Sequence, residues 1–168
     1  MHRFLFAVAC AAELGLAACQ SPDSAAAAPT APEVSYAVNG TAQSSLPLDQ
    51  LVLAKRAAGR YHDITQAIRD GYTDTGIVLP NMGRHFLKQE LLDATFAPDE
   101  PELLVYSPDS TRLLALEYAQ PLTDRPPEGF RGSADTWLPF GGVFWTLHAW
   151  VYDNNPDGVF HPTNSRVQ

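Results

Sequence analysis

Ten consecutive residues, Val143 to Tyr152, constrain the fold of this chain more than any other stretch, because nearly all of them are aromatic or aliphatic. Side chains of a β-strand alternate between two faces. One face carries Val143 and every second residue after it, all apolar, whereas the other carries four large or branched side chains and one imidazole: Phe144, Thr146, His148, Trp150 and Tyr152. A strand that is apolar on both faces is covered on both sides. The segment therefore predicts a central strand of a buried sheet, with His148 in its middle.

One helix and at least two further strands accompany this strand. From Leu48 to Asp70 apolar residues recur at three- and four-residue spacing, and Gly71 is a typical helix stop, which predicts one long helix. Leu103–Tyr106 and Leu113–Ala119 have strand patterns and are separated by the turn sequence Pro108-Asp109-Ser110. We expect an α+β domain in which one long N-terminal helix packs on an antiparallel sheet of at least three strands.

Two segments have weaker patterns. Residues 73–96 contain a turn sequence around Asn81 and Gly83, and His85 to Ala94 predicts a short helix within an otherwise irregular stretch. The proline- and glycine-rich residues 123–142 predict a loop that covers an edge of the sheet.

The first 45 residues have a different character. Residues 1–18 contain Arg3, an apolar run and small residues before Cys19, and the sequence Leu-Ala-Ala-Cys that ends at Cys19 resembles the lipobox of bacterial lipoproteins. The resemblance implies a lipoprotein signal peptide at 1–18 and acylation of Cys19. Residues 19–45 are rich in Ala, Pro and Ser and predict a disordered, lipidated tether. The single α+β domain then spans 46–168.

This interpretation also sets the compartment and the partners. Gln20 follows the cysteine, and by the same resemblance this implies an outer-membrane lipoprotein whose domain faces the periplasm or the cell surface. The lipid anchor is the only predicted contact with a membrane. A net charge of −8 disfavours nucleic acid as a partner. Cys10 leaves with the signal peptide and Cys19 is acylated, so the domain has no cysteine for a disulfide, a thiolate metal site or a nucleophile.

Three residues form a candidate metal site. His148 lies in the aromatic strand, and Glu117 lies between two alanines on a strand face shared with Leu113, where a buried carboxylate costs several kcal/mol unless it is paired or metal-bound. His85 follows the predicted turn, from which it could point inward. Two histidines and one carboxylate are a known ligand set for Zn²⁺, Cu²⁺ or Fe²⁺. We expect one divalent ion, Zn²⁺ or Cu²⁺, on His85, Glu117 and His148.

Other interpretations of the same residues stay open. Met82 would favour copper, and His161 is a reserve ligand. Without a metal, His148 would be a core histidine bonded to a carbonyl, and Glu117 would pair with Arg84 or Arg112. A protein that binds a small apolar ligand is one alternative function, with these aromatic walls: Phe144, Trp145, Trp150 and Tyr152.

A metal-dependent enzyme with an open coordination position is the other alternative. The sequence has no GxSxG, HExxH, P-loop or GxGxxG motif, so no catalytic residue is assigned.

Five short motifs carry a wider resemblance. MGRH, PELLVY, LLALEY, LHAWVY and NPDGVF follow a YHDITQAIRDGY segment in this order. Together they resemble an uncharacterised family of small exported bacterial proteins over roughly Leu51 to Asn164. The resemblance implies an exported single domain and carries no activity. Thr163 departs from the family pattern, in which a tryptophan is expected.

Overall fold

The computed structural model describes residues 46–168, so the predicted signal peptide, Cys19 and the tether lie outside the described residues. The helices and strands follow one another in this order: α1 Leu48–Ala58, a 3-10 helix Gly59–His62, α2 Ile64–Arg69, β1 Thr73–Leu79, β2 Gly83–Leu87, a 3-10 helix Gln89–Leu91, β3 Leu103–Tyr106, β4 Leu113–Pro121, β5 Leu138–Phe140 and β6 Phe144–Ala149.

The six strands form one antiparallel sheet in the order β1-β2-β3-β4-β6-β5. The sheet curls, and residues of β1 and β5, its two edge strands, line the same cavity. The predicted α+β class is therefore confirmed, with twice the minimum number of strands. Within residues 46–168, no helix combines the length and the apolar character that a bilayer crossing requires.

The prediction of one long helix from Leu48 to Asp70 is wrong, because the helical segment breaks twice. After Ala58 the chain tightens into a 3-10 helix that starts at Gly59, a residue of low helix propensity. Asp63 is extended, with φ −87° and ψ 103°, and its carboxylate accepts the Thr65 N–H at 2.9 Å as an N-cap. The apolar spacing survives the breaks because all three pieces bury side chains against the same core.

The helical segment covers one face of the sheet. Buried residues of α1, α2 and the 3-10 helix belong to one core cluster with residues of β3, β4 and β6. The hydroxyl of Tyr106 on β3 donates to the backbone carbonyl of Tyr61 at 2.6 Å, which fixes the 3-10 helix to the sheet. The opposite face of the sheet carries a second, smaller cluster of buried side chains and the cavity.

The strand predictions hold for the centre of the sheet. β3 has the predicted bounds, β4 is buried over its first eight residues, and the two form the predicted hairpin. A β-bulge places Leu114 as an extra residue between Leu113 and Ala115, since Val105 pairs with Ala115 but Tyr106 pairs with Leu113. The prediction that Leu113 shares a face with Glu117 is therefore wrong, and Leu113 packs in the helix-covered core.

The segments on either side of the centre differ from their predictions. Residues 73–79 and 83–87 are strands, and the short helix expected from His85 to Ala94 is wrong apart from the 3-10 helix at Gln89–Leu91. This region is a strand and not a helix because residues 84–87 pair with β3. The predicted loop 123–142 contains β5, which pairs with β6 as an edge strand. β6 itself ends at Ala149 instead of continuing to Tyr152.

Candidate metal centre

Three strands of the sheet, β2, β4 and β6, place the candidate ligands on one face. Glu117 of β4 is the direct partner of His148 of β6. His85 of β2 is opposite Val105 of β3, which in turn is opposite Ala115 of β4. Opposite residues of an antiparallel pair share a face, and so do residues two apart on a strand. His85, Glu117 and His148 therefore point to the same side of the sheet.

The three side chains meet in the interior. Nε2 of His85 lies 3.5 Å from Oε2 of Glu117, and Nε2 of His148 lies 3.9 Å from Oε1 of the same carboxyl. The three residues are only 4%, 5% and 4% exposed in chain order. One ligand atom from each lies within 4.8 Å of the others. The group could hold a metal ion.

These distances are near those of an occupied site. A tetrahedral ion with ligands at about 2.0–2.2 Å keeps the ligand atoms about 3.3–3.6 Å apart. The separation of 3.5 Å between His85 and Glu117 is already in this range. The other pairs, all within 4.8 Å, have to shorten by about 1.5 Å or less. Binding would therefore require small rotations of these side chains.

A backbone carbonyl sets the orientation of the first histidine. Nδ1 of His85 lies 3.3 Å from the carbonyl oxygen of Ile77 on β1. A carbonyl oxygen only accepts, so Nδ1 carries the proton and Nε2 presents its lone pair to Glu117. Histidines that bind metals commonly donate their second ring nitrogen to a backbone carbonyl in this way.

Two of the ligand atoms have no hydrogen-bond partner among the described residues. They are Oε2 of Glu117 and Nε2 of His148, both fully buried. The alternative pairing of Glu117 with an arginine is wrong, because Arg84 binds Asp74 at 2.9 Å and no ion pair joins Arg112 to Glu117. A carboxylate with only neutral imidazoles around it is costly in an apolar interior. A core-histidine interpretation leaves both atoms unexplained.

Burial determines the pKa values of the group. It raises the pKa of Glu117 to about 8. It lowers the pKa of His148 to about 3, and the charge of His85 acts in the same direction. Burial also lowers the pKa of His85, against the hydrogen bond to Ile77. Both imidazoles are thus held in the neutral form that binds metals, and a divalent cation would favour the ionised form of Glu117.

A cavity of about 330 Å³ reaches the three residues. Its volume lies at the lower end of the range for small-molecule sites, about 300–1,000 Å³. Most of the residues that line it are apolar, and five of these lie on β1 and β5: Ile77, Leu79, Leu138, Pro139 and Phe140. The candidate ligands therefore form a polar end in an otherwise apolar pocket.

The predicted aromatic walls are wrong for three of the four residues. Phe144 lines the cavity, whereas Trp145, Trp150 and Tyr152 do not. Trp150 instead stacks on His148, with ring centroids 5.8 Å apart and an angle of 12° between the planes. Tyr152 donates its hydroxyl to the carbonyl of Lys55 on the helix-covered side of the sheet. The stacked indole still serves the site, because it restricts the His148 ring.

The two secondary candidates have different outcomes. Met82 lines the cavity that contains the three ligands. His161 does not join the group, because its side chain is exposed and its Nδ1 lies 2.8 Å from the carbonyl oxygen of Thr163. His161 contributes instead through its backbone, whose carbonyl accepts the indole N–H of Trp150 at 2.7 Å.

No protein-family model, no curated protein and no solved structure matches this chain. Fold and site by themselves define an α+β domain with a candidate metal centre at the polar end of an apolar cavity. The resemblance to small exported bacterial proteins stays a prediction, as do the signal peptide and the acylation of Cys19.

Proposed function

We propose that this chain is a lipid-anchored periplasmic protein of the outer membrane that binds one divalent metal ion through His85, Glu117 and His148. One observation carries the metal proposal: in a group of three residues whose ligand atoms lie within 4.8 Å of one another, Oε2 of Glu117 and Nε2 of His148 are buried and have no hydrogen-bond partner among the described residues. An ion would bind both atoms and would offset the cost of burying the carboxylate.

The ligand types favour a borderline transition metal. Two imidazole nitrogens and one carboxylate oxygen suit Zn²⁺, and imidazole also suits Cu²⁺. Met82 lines the same cavity and would add a thioether, which favours copper. We expect a Met82→Ala variant to lose affinity for copper and to retain its affinity for zinc.

The anchor is supported by the sequence alone. The Leu-Ala-Ala-Cys sequence ends at Cys19, Gln20 follows it, and an Ala/Pro/Ser-rich stretch separates it from the domain that starts at residue 46. The anchor would hold the metal site close to the membrane surface, within the reach of a tether of about 25 residues, typically about 25–30 Å.

A metal-dependent enzyme is the second candidate, and the cavity favours it. Because the cavity reaches all three ligands, a small molecule could enter the open coordination position of a bound ion. No further side chain at the site is assigned a role in proton transfer.

The metal proposal is tested by thermal denaturation of the full-length chain after removal of metals with a chelator. A ligand that binds only the folded state at 100 times its dissociation constant adds about 2.7 kcal/mol to the free energy of unfolding. We expect Zn²⁺ or Cu²⁺ to raise the melting temperature of the wild type and of the surface control His161→Ala. The same ions should leave His148→Ala unchanged. Equal shifts in both variants would place the ion elsewhere.

A further inference from the structure

The cavity has one polar end, and the rest of its lining is mostly apolar. His85, Glu117 and His148, with Thr146 beside Glu117, form the polar end. The remaining walls are mainly aliphatic and aromatic side chains, five of them from the two edge strands of the curled sheet. A ligand that matches this lining has one polar head and a hydrocarbon body.

The charge of the polar end selects the head group. A divalent ion with one carboxylate and two neutral imidazoles has a net charge of +1. Among the described residues that line the cavity there is no lysine or arginine, and Glu117 is the only acidic one. A buried net charge is costly unless it is paired. A head group with a single negative charge neutralises the site, whereas a neutral or cationic head does not.

The mouth of the cavity is apolar as well. Ile77 of β1 and Leu138 and Phe140 of β5 line the cavity and are also 37%, 40% and 43% exposed. Large exposed apolar side chains gathered in one place mark a binding site more often than a plain surface. Here they lie where a hydrocarbon chain would enter between the two edge strands.

We propose that the cavity binds a small monocarboxylate with a hydrocarbon chain, such as a medium-chain fatty acid, with its carboxylate on the metal ion. The chain of the ligand extends from the three protein ligands toward Ile77, Leu138 and Phe140. This inference rests on the proposed metal site. In this proposal the metal site binds the carboxylate of the ligand, and the apolar walls of the cavity bind its hydrocarbon chain.

Calorimetric titration tests both parts of this recognition. The full-length chain carries Cys19→Ser, which removes the predicted acylation site, and is titrated with octanoate, butanoate and octan-1-ol in its zinc-loaded and chelator-treated forms. We expect octanoate to bind the zinc form at least tenfold more tightly than the metal-free form. Each buried methylene adds about fourfold in affinity, so butanoate, which is four methylenes shorter, should bind the zinc form about 250-fold more weakly. The affinity for octan-1-ol should be the same in the zinc-loaded and metal-free forms.

A spectroscopic measurement locates the carboxylate. Octanoate added to the cobalt(II)-substituted chain should change the visible absorption bands of the ion, because a new oxygen ligand alters its coordination. Octan-1-ol should leave these bands unchanged. Changes of the same size with both ligands would contradict coordination by the carboxylate.

A pair of exposed positions provides matched variants. Phe140→Asp adds a negative charge and removes apolar surface at the mouth, and should weaken octanoate binding at least tenfold while zinc binding is kept. Val52→Asp adds the same charge at an exposed position of α1 that does not line the cavity. It should change neither the affinity for octanoate nor the affinity for zinc.

The outcomes separate this inference from the metal proposal. If the chain binds zinc but octanoate binds equally well without it, the carboxylate does not contact the metal and the inference is overturned. If the zinc form binds no octanoate, the ligand class is wrong and the metal site stands. If no divalent ion binds, the proposed function fails and the inference fails with it.

Discussion

Two buried carboxyl groups lie beside the central strands, and their surroundings differ. Glu102, just before β3, accepts the backbone N–H of Ala119 on one of its oxygens, Oε2, at 3.1 Å. Glu117 faces two imidazoles, and its Oε2 has no partner among the described residues. The pairing of β3 with β4 ends at Glu117, so Glu102 accepts the Ala119 N–H in place of a strand partner. Glu117 is left available to a ligand.

Glu102 should make the stability of the protein depend on pH. Burial raises the pKa of Glu102 to about 8 from an ordinary value of 4.5. The folded state thus keeps a proton that the unfolded state releases, and the free energy of unfolding falls as the pH rises through this window. Glutamine retains the acceptor oxygen without the charge. We expect Glu102→Gln to be more stable than the wild type by about 2–4 kcal/mol at pH 8 and about equal to it at pH 4.5.

Urea denaturation of the chelator-treated chain at the two pH values measures this difference. A gap between Glu102→Gln and the wild type that stays the same at both pH values would show that ionisation of Glu102 is not its cause.

Single residues also explain why the site could be predicted. A carboxylate between two alanines and a histidine among aromatic residues are both departures from an apolar strand pattern, and such departures are visible in a sequence. His85 was predicted from its place after a turn, although the turn leads into a strand and not a helix. The role of Thr146 beside Glu117 has no such signal, because threonine is common in strands.

At the scale of elements, the sequence predicts those strands whose own pattern is continuous. β3, β4 and β6 are apolar runs bounded by turn residues, and all three were found. β1 contains Gly76 and is mostly exposed, and β5 has only three residues, so neither has a pattern of its own. Their pairing with β2 and β6 creates them. The apolar walls that β1 and β5 contribute to the cavity could not be predicted for this reason.

The approach of β2 to β3 depends on one glycine. Gly83 opens β2 with φ +109°, and a Cβ atom there would lie 2.1 Å from the carbonyl oxygen of Tyr106. Gly76 of β1 also has a positive φ, +73°, but a Cβ atom there would meet nothing within 4 Å. We expect Gly76→Ala to cost about 1–2 kcal/mol of stability through its backbone alone. Gly83→Ala should cost about 4 kcal/mol or more, because β2 is displaced as well.

Thermal or urea denaturation of the two glycine variants checks the difference. If Gly83→Ala costs no more than Gly76→Ala, the close approach of β2 to β3 is not a constraint on the sheet. β2 carries His85. If Gly83→Ala loses affinity for the metal while Gly76→Ala keeps it, the close approach of β2 to β3 is also needed to form the metal site.

In the whole molecule, an anchor predicted from the sequence is joined to a candidate site formed by the fold. The structure describes residues 46–168, and the candidate metal ligands come from three strands that are far apart in the chain. One lipid chain binds membranes only marginally, so stable anchoring requires the several acyl chains of a mature lipoprotein. We expect a Cys19→Ser variant to move from the membrane fraction to the soluble periplasmic fraction.

Fractionation with detection of the full-length chain measures this, with Cys10→Ser as a matched control that should stay with the membranes. A Cys19→Ser protein that still sediments with membranes would place the anchor elsewhere.

The central claim is that a divalent ion binds the buried group on β2, β4 and β6. Its most direct test is the metal content of the purified full-length chain, measured by mass spectrometry after exposure to Zn²⁺ or Cu²⁺ and removal of free ions. The account predicts one ion per chain in the wild type and in His161→Ala. It predicts about one-tenth of that or less in each of His85→Ala, Glu117→Ala and His148→Ala. A wild type that takes up neither ion, or three variants that retain it, would contradict the account.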